Sequence, residues 1–177
     1  FYPDYAGRIA VDDRPVRIVH PGLARALGIA LVHQELSLVP ELTVAENVFL
    51  GREPYSRVPG FINRRAGEER ARALCDELGI ALDPAAKVDH LSGAERQLVE
   101  IAKGVSADPR LLILDEPTSS ITYHEIRELF RVITALAAKG TAIVYISHRL
   151  DEIFAVTDRV TVLRGGQRVA TAPAAEW

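Results

Sequence analysis

The sequence predicts an α/β fold in which a mostly parallel sheet is connected by crossover helices and carries an inserted helical block. Two observations support this prediction. Short apolar runs alternate along the chain with amphipathic segments of helical period, which is typical of strand–helix–strand units. Between residues 36 and 106 the prolines become frequent and the apolar spacing turns helical, so we interpret this stretch as a helical subdomain inserted in the sheet.

Composition and charge limit the classes of protein to which the chain can belong. The length of 177 residues suits one domain, and an apolar share of 48% with a charged share of 25% is typical of a soluble globular protein. The net charge of −3 offers no basic surface to nucleic acid. A single cysteine, Cys75, excludes an internal disulfide, and no apolar run reaches membrane-spanning length. The chain begins at Phe1 without methionine, and we interpret it as a piece of a longer protein.

The first predicted elements are a hairpin, a short helix and a strand. Loose alternation of apolar residues within residues 1–19, with Asp12-Asp13 between the two halves, predicts the hairpin. Pro21–Leu27 reads as a helix that begins with proline in its first turn and ends at Gly28. The compact apolar run Ile29–Val32 then predicts a buried strand.

Three helix starts are visible in the middle of the chain. Thr43–Glu46 forms a capping box, in which a threonine and a glutamate three residues later satisfy each other's backbone N–H groups. Asn63 is placed to cap a longer helix that continues to Leu78, with a glycine after it as the stop. Ser92–Glu95 is a second capping box, and the helix behind it has apolar residues at core spacing.

The last third of the chain returns to alternating strands and helices. Leu111–Leu114, bounded by prolines, predicts a short strand buried on both faces. A capping box at Thr122 opens an amphipathic helix that closes at Gly140. Ala142–Ile146 predicts a further strand, which is followed by a short helix and by a hairpin around Gly165-Gly166.

Polar side chains follow three of the predicted strands at the point where each strand ends. They are Gln34, the pair Asp115 and Glu116, and the pair Ser147 and His148. Each has an unremarkable alternative, such as a solvated acidic turn or a structural histidine. Because the carboxyl ends of parallel strands lie at one edge of a sheet, we expect these groups to converge there. An amide, two carboxylates and an imidazole together suit metal–phosphate chemistry.

The order and spacing of these motifs resemble the nucleotide-binding domains of ABC transporters. The corresponding motifs are the Q-loop at His33–Glu35, the signature at Leu91–Glu95, Walker B at Leu111–Glu116, the D-loop at Ser119–Thr122 and the switch histidine at His148. The chain further resembles the first of two tandem ATPase domains in bacterial importers of ribose, galactose or xylose type. The runs that carry this narrower resemblance are His33–Pro40, Glu46–Glu53, Val99–Lys103 and Tyr145–Ile153.

The resemblance implies a fold, ligands and residue roles. It implies one truncated ATPase domain of P-loop NTPase type, with residues 1–33 and 107–177 as the α/β core and residues 34–106 as the Q-loop and helical subdomain. ATP and Mg²⁺ are the implied ligands, with Gln34 and Asp115 at the metal. The implied catalytic residues are Glu116, His148 and Gln34, and the implied nucleotide-binding residues are Ser92, Gly93, Ala94, Asp115 and Ser119.

Three departures from the family pattern affect these expectations. The signature commonly reads Leu-Ser-Gly-Gly-Gln, whereas Ala94 and Glu95 occupy its last two places here. We expect Glu95 to turn back and cap Ser92, which keeps its charge off the phosphate. The D-loop usually ends in aspartate, but Thr122 stands there. No Gly-x-x-x-x-Gly-Lys-Ser/Thr loop occurs, so we expect the N-terminal strands and the phosphate loop to be missing and this chain alone to be inactive.

The resemblance therefore implies an ATP-hydrolysing subunit of a bacterial ABC sugar importer, at the cytoplasmic face of the inner membrane. The implied partners are transmembrane permease subunits, a second ABC ATPase domain in a head-to-tail pair and, indirectly, a periplasmic sugar-binding protein, with no nucleic acid. The alternative from another class is a non-hydrolysing fragment that only docks a permease. A cytosolic ABC protein of repair or translation is a weaker rival. The sequence does not indicate which sugar is carried.

Overall fold

The computed structural model describes residues 6–56, 61–119 and 121–177 of the chain, and within them strands and helices follow one another in the predicted order. The strands are β1 (Ile9–Val11), β2 (Arg14–Val16), β3 (Ile29–Val32), β4 (Leu111–Asp115), β5 (Ala142–Ile146), β6 (Arg159–Arg164) and β7 (Gln167–Pro173). The α-helices are α1 (Pro21–Ala26), α2 (Val44–Val48), α3 (Arg64–Leu78), α4 (Gly93–Val105), α5 (Tyr123–Ala138) and α6 (Leu150–Val156).

The central sheet is parallel and has the strand order β3–β4–β5. In its register Leu112 of β4 lies between Ala30 of β3 and Ile143 of β5. The two predicted hairpins form separate antiparallel pairs, β1–β2 and β6–β7. The α/β class, with its parallel sheet, is therefore confirmed, and the three strands that precede the candidate site residues all end at the same edge.

One face of this sheet packs into the core, and the other is open in the described part of the chain. Leu112 and Leu114 of β4 are fully buried, whereas Leu111 and Ile113, which point to the opposite face, are only half-buried. On β5 the side chain of Ile146 is 45% exposed. The prediction of a strand buried on both faces is therefore wrong for Leu111–Leu114. Apolar runs alone do not distinguish one covered face from two, because burial depends on which helices pack against the sheet.

The hydrophobic core joins the closed face of the sheet to the helices. Val32 of β3 and the two buried β4 leucines meet the apolar sides of α4 and α5, and α3 extends the same cluster. The α-helix residues in this core are Val44, Val48, Cys75, Leu78, Leu98, Val99, Ile101, Ala102, Leu129, Val132, Ile133 and Leu136. The helical block is thus packed continuously with the sheet. Among the described residues, none of the helices combines the length and the apolar character of a membrane span.

The predicted caps explain where the helices of the inserted block begin and end. Thr43 and Glu46 form the reciprocal capping box of α2. The Thr43 N–H donates to Glu46 Oε2 with an N···O distance of 2.9 Å, and the Glu46 N–H donates to Thr43 Oγ1 at 3.2 Å. Asn63 Oδ1 accepts a hydrogen bond from the Ala66 N–H at 3.1 Å and starts α3. Gly79 ends α3 in the left-handed conformation, with φ of 66°, which glycine adopts without a Cβ clash.

The N-terminal hairpin is fastened to the sheet by a bidentate ion pair. Both terminal nitrogens of Arg110, just before β4, donate to the Asp12 carboxylate at 2.7 Å. This hydrogen-bonded guanidinium lowers the pKa of Asp12, although the pair lies in solvent. Gly28 packs under the same arginine with φ of 75°, and a Cβ there would lie 3.1 Å from the Arg110 Cγ.

Candidate functional site

Three predicted site residues meet at the carboxyl edge of the sheet. The Gln34 Nε2 donates a hydrogen bond of 3.1 Å to one oxygen of Glu116. The other oxygen of Glu116 lies 3.1 Å from the Nδ1 of His148. The three residues follow β3, β4 and β5, so parallel pairing of the strands brings Glu116 together with residues 82 and 32 positions away in the chain.

The backbone at Glu116 is unusual and aims its side chain. Its φ is 45°, a left-handed conformation that residues with a Cβ rarely adopt. The Glu116 N–H still donates to the carbonyl oxygen of Ile146 at 2.9 Å, so the turn begins within the last hydrogen bond of the sheet. Such conformations cost on the order of 1–3 kcal/mol and persist at sites where surrounding contacts enforce them. The strain thus places a carboxylate between the ends of β3 and β5.

The hydrogen-bonding capacity of the cluster is only partly used. Each Glu116 oxygen has two lone pairs, and each carries one protein contact, which leaves a lone pair for a water or hydroxyl. With its Nδ1 protonated, His148 donates to Glu116 and keeps Nε2 for another partner. The His148 ring is largely exposed, whereas Glu116 is half-buried. The cluster therefore has one sheltered base and two exposed polar neighbours.

Asp115 is the last residue of β4 and lies beside Ile146 in the ladder. Its side chain is half-buried and has no hydrogen-bond partner among the described residues. It provides carboxylate oxygens next to the Glu116 cluster, and the amide oxygen of Gln34 is a further hard oxygen donor. No group of three His, Cys, Asp or Glu side chains able to hold a metal occurs in residues 6–56, 61–119 and 121–177. A donor set of one or two carboxylates fits Mg²⁺, which keeps several waters and phosphate oxygens as ligands.

The signature residues are placed apart from this cluster. Ser92 caps α4, and its oxygen accepts from the Glu95 N–H at 3.2 Å, while the Ser92 N–H donates to Glu95 Oε2 at 2.8 Å. This is the reciprocal arrangement expected for Glu95. Gly93 is the first residue of α4 and Ala94 is buried in its first turn. No hydrogen bond in the described ranges connects these residues to Glu116.

The D-loop is described only in part. Ser119 is exposed, and its N–H donates to the carbonyl oxygen of Glu116 at 3.3 Å. Thr122 is the N-cap residue of α5, as predicted, and its N–H donates to Glu125 Oε2 at 2.7 Å. Ser120, which the D-loop prediction includes, lies outside the described residues, as do Phe1–Tyr5 at the N-terminus.

Sequence reasoning missed a buried carboxylate beside the site. Glu152 of α6 is 1% exposed and accepts hydrogen bonds from Thr118, Tyr145 and Ser147. The only signal in the sequence is a set of hydroxyl residues around the motifs, and hydroxyls are common at strand and helix ends. A second missed contact joins the Q-loop to α4, where the Ser37 hydroxyl donates to the buried Glu100 at 2.9 Å.

Comparison with known proteins shows what this chain is similar to. A protein-family model described as ABC transporter matches residues 1–119. The chain is 52% identical over 171 residues to a ribose import ATP-binding protein of Rubrobacter xylanophilus, covering 97% of this chain and 34% of that protein. It is 47% identical over 175 residues to a putative ribose/galactose/methyl galactoside import ATP-binding protein of Burkholderia cenocepacia, covering 99% of this chain and 34% of that protein. The chain thus spans about a third of the length of these relatives.

Solved structures show the same fold. A nucleotide-free ATP-binding cassette from an ABC transporter superposes with a TM-score of 0.80 at 24% identity, over 94% of this chain and 69% of the other. The cbiO1 protein of Clostridium perfringens, described as part of an ABC transporter complex, superposes with a TM-score of 0.78 at 23% identity, over 97% of this chain and 67% of the other. Because the family model spans well over half of the 177 residues and the motifs fall at the matching strand ends, the chain belongs to the ABC transporter family.

Proposed function

We propose that this chain is part of the ATP-hydrolysing subunit of a bacterial importer for a sugar. The observation that carries the proposal is the contact of Gln34 and His148 with the two oxygens of Glu116. Two relatives of high identity, named as import ATP-binding proteins for ribose and for ribose, galactose or methyl galactoside, support the choice of sugars. Because the chain spans about a third of these relatives, the proposed activity is that of a protein of their length that contains it.

Glu116 is the proposed general base of hydrolysis. A carboxylate with one free lone pair on each oxygen can accept the proton of a water that attacks the γ-phosphate. Gln34 holds one oxygen of Glu116 in place and orients the water with its amide. His148 holds the other oxygen through Nδ1, and its Nε2 can donate to a phosphate oxygen when both ring nitrogens carry a proton. The group that removes the proton is thus fixed from two sides before substrate arrives.

Mg²⁺ is the proposed metal cofactor, and Asp115 and Gln34 are the residues proposed to hold it. Bound there with ATP, the ion would neutralise charge on the phosphates. Asp115 suits this role because its carboxylate has no described protein partner and stands at the end of the central strand. Glu116, the next residue along the chain, remains assigned to proton transfer, so the metal and the base would occupy adjacent places at the end of the same strand.

The signature residues are proposed to serve a second nucleotide-binding domain. Ser92, Gly93 and Ala94 stand at the N-terminus of a 13-residue helix, where backbone N–H groups and the helix dipole favour a phosphate. These residues have no hydrogen bond to the Glu116 cluster in the described part of the chain, which supports a role on the nucleotide of a partner domain. Glu95 is turned back onto Ser92 and leaves the face of the helix end to the phosphate. Ser119 is proposed to lie at the interface with the same partner domain.

Permease subunits are the other proposed partners, with the protein at the cytoplasmic face of the membrane and a periplasmic sugar-binding protein acting indirectly. We propose that the segment 36–50 faces the permease. Its apolar residues Leu36, Leu38, Val39 and Leu42 are half-buried, and Leu38 packs against the core, so they form little of an exposed patch. Leu50, at 41% exposure, is the best-placed apolar side chain for a contact. A photo-cross-linker at Leu50 should capture a co-expressed permease, whereas one at the exposed Ala137 of α5 should not.

Phosphate release and nucleotide binding test the proposed enzymatic function. The assay compares the 177-residue chain with the full-length protein that contains it. The chain carries no Gly-x-x-x-x-Gly-Lys-Ser/Thr loop, so we expect it to release no phosphate and to pass through ATP-agarose. The full-length protein should release phosphate and be retained on ATP-agarose, and it should lose turnover when Glu116 is changed. A full-length protein that binds a permease but never hydrolyses ATP would instead support the docking module.

A further inference from the structure

Glu152 is a carboxylate enclosed by the protein directly behind the candidate site. It lies on α6 with 1% of its surface exposed. Burying a charge of this kind is costly unless partners compensate it, and a well-packed apolar residue would often serve stability as well or better. A carboxylate in this place therefore needs an explanation beyond filling the core.

The partners of Glu152 come from two segments of the chain, the turn after β4 and residues 145–149. One oxygen accepts hydrogen bonds from the Thr118 hydroxyl at 2.7 Å, the Tyr145 phenol at 2.8 Å and the Ser147 hydroxyl at 3.2 Å. The Nη1 of Arg149 lies 2.9 Å from the other oxygen. This guanidinium is not aligned as a hydrogen-bond donor, so the contact is an ion pair.

These partners stand next to the residues of the candidate site. Thr118 is two residues after Glu116 in the turn that leaves β4. Ser147 and Arg149 are the immediate neighbours of His148. Glu152 therefore binds both turns that carry the 3.1 Å contact between Glu116 and His148, without a hydrogen bond to either residue.

The Ser147 hydroxyl shows how the network acts on the backbone. Its oxygen accepts from the Arg149 N–H at 3.0 Å while its proton goes to Glu152. The hydroxyl thus closes a local turn around His148, and the buried carboxylate sets the orientation of that hydroxyl. Rotation of this turn would carry the imidazole away from Glu116.

We infer that Glu152 is a positioning residue, which holds the His148 turn against the Glu116 turn so that imidazole and carboxylate meet. The inference rests on the proposed hydrolysis at Glu116. Displacement of a positioned group by about 1 Å can cost on the order of 10²-fold in rate. Loss of the Glu152 charge should therefore lower kcat while leaving the binding of ATP nearly unchanged.

The test is a double-mutant cycle on ATP turnover in the full-length protein. Glu152→Gln keeps the shape, removes the ion pair and puts an amide N–H where donors already converge. We expect kcat to fall about 10- to 100-fold with KM for ATP within about twofold. In a His148→Ala background the same substitution should cost less than about threefold, because the group it positions is gone. Val132→Ala, in the core of α5, is the matched control for lost stability and should leave kcat within about twofold.

Three results would overturn the inference. Equal losses from Glu152→Gln in both backgrounds would show a structural effect that does not act through His148. Unchanged kcat in Glu152→Gln would show that the network has no part in positioning. A full-length parent that turns over no ATP would overturn the proposed function as well, and so differs from the first two results. If Glu152→Gln does not fold, Thr118→Val removes one hydroxyl donor with little change of shape, and its loss of kcat should likewise shrink in the His148→Ala background.

Discussion

Gln34 and Glu116 are 82 residues apart in the chain, and the amide nitrogen of the first donates to the carboxylate of the second at 3.1 Å. Gln34 follows β3 and Glu116 follows β4, and these strands are direct neighbours in the parallel sheet. The contact thus connects the start of the helical block to the proposed base. A displacement of Gln34 away from β4 would break this hydrogen bond to the proposed base.

Glu116→Gln should abolish turnover in the full-length protein and leave ATP binding intact. The amide keeps the shape and one acceptor oxygen but cannot take the proton of water, and loss of a general base costs on the order of 10²–10⁴ in rate. Phosphate release and equilibrium nucleotide binding measure the two properties separately. Glu128→Gln, an exposed carboxylate on α5, is the control and should behave like the parent. Hydrolysis near the parent rate in Glu116→Gln would rule out the role.

Replacement of Gln34 should slow hydrolysis in a way that depends on charge. Gln34→Ala removes one of the two contacts that hold Glu116, and we expect a loss of about 10- to 100-fold in kcat. Gln34→Glu puts a second carboxylate against Glu116, and since like charges at this distance repel, the loss at neutral pH should be larger. Part of it should return as pH falls, because protonation of one carboxyl restores a hydrogen bond. A pH–rate profile of Gln34→Glu that matches that of Gln34→Ala would contradict this prediction.

Asn47→Ala should destabilise the helical block strongly. The Asn47 side chain is fully buried, accepts from the Val39 N–H at 2.7 Å and donates to the carbonyl oxygens of Val39 and Thr43 at 3.0 Å. Truncation leaves the Val39 N–H without a partner, which costs roughly 1–3 kcal/mol, and it removes one of the two donors of the Val39 and Thr43 carbonyl oxygens. We expect the free energy of unfolding to fall by about 3 kcal/mol.

Urea denaturation measures this loss, and Asn63→Ala provides the comparison. Asn63 makes a single capping bond at the start of α3, and removal of such a cap typically costs about 1 kcal/mol. Asn47→Ala should therefore be the more destabilising of the two by a clear margin. An Asn47→Ala variant as stable as Asn63→Ala would show that water replaces the lost hydrogen bonds.

Tyr145 should make the stability of the fold sensitive to alkaline pH. Burial, followed by the hydrogen bond to Glu152 and the charge of that carboxylate, raises the pKa of the Tyr145 phenol above its usual value. A raised pKa in the folded state means that the stabilisation is fully present below the unfolded pKa of about 10 and is lost as pH rises through the folded pKa. The difference in stability between the parent and Tyr145→Phe should therefore be constant up to about pH 10 and then shrink.

Thermal melts from pH 7 to pH 11 of the parent and Tyr145→Phe test this relation. Other tyrosines and the lysines titrate in both proteins, so their effect cancels in the difference. A difference that grows above pH 10 would mean that the phenolate is stabilised in the fold, contrary to its position beside Glu152.

Local features of the fold were predictable from the sequence because their interactions span only a few residues. Thr43 with Glu46, and Ser92 with Glu95, satisfy backbone groups within one helical turn, so the capping boxes could be placed without knowledge of the rest of the chain. Convergence of Gln34, Glu116 and His148 was also predictable. Parallel strands have their carboxyl ends at one edge, and that rule holds whichever strands are neighbours.

The order of the elements, their caps and the strand ends at which polar groups meet follow from patterns among near neighbours in the chain. Burial of Asn47 and Glu152, the open face of β4 and β5 in the described residues, and the pairing of Arg110 with Asp12 follow only from the tertiary structure. Burial and long-range pairing depend on which surfaces pack together, and no local pattern specifies that. A glutamate four residues after a histidine has the same local sequence whether its helix face points to solvent or to Thr118 and Tyr145, and only packing of α6 against the ends of β4 and β5 distinguishes the two.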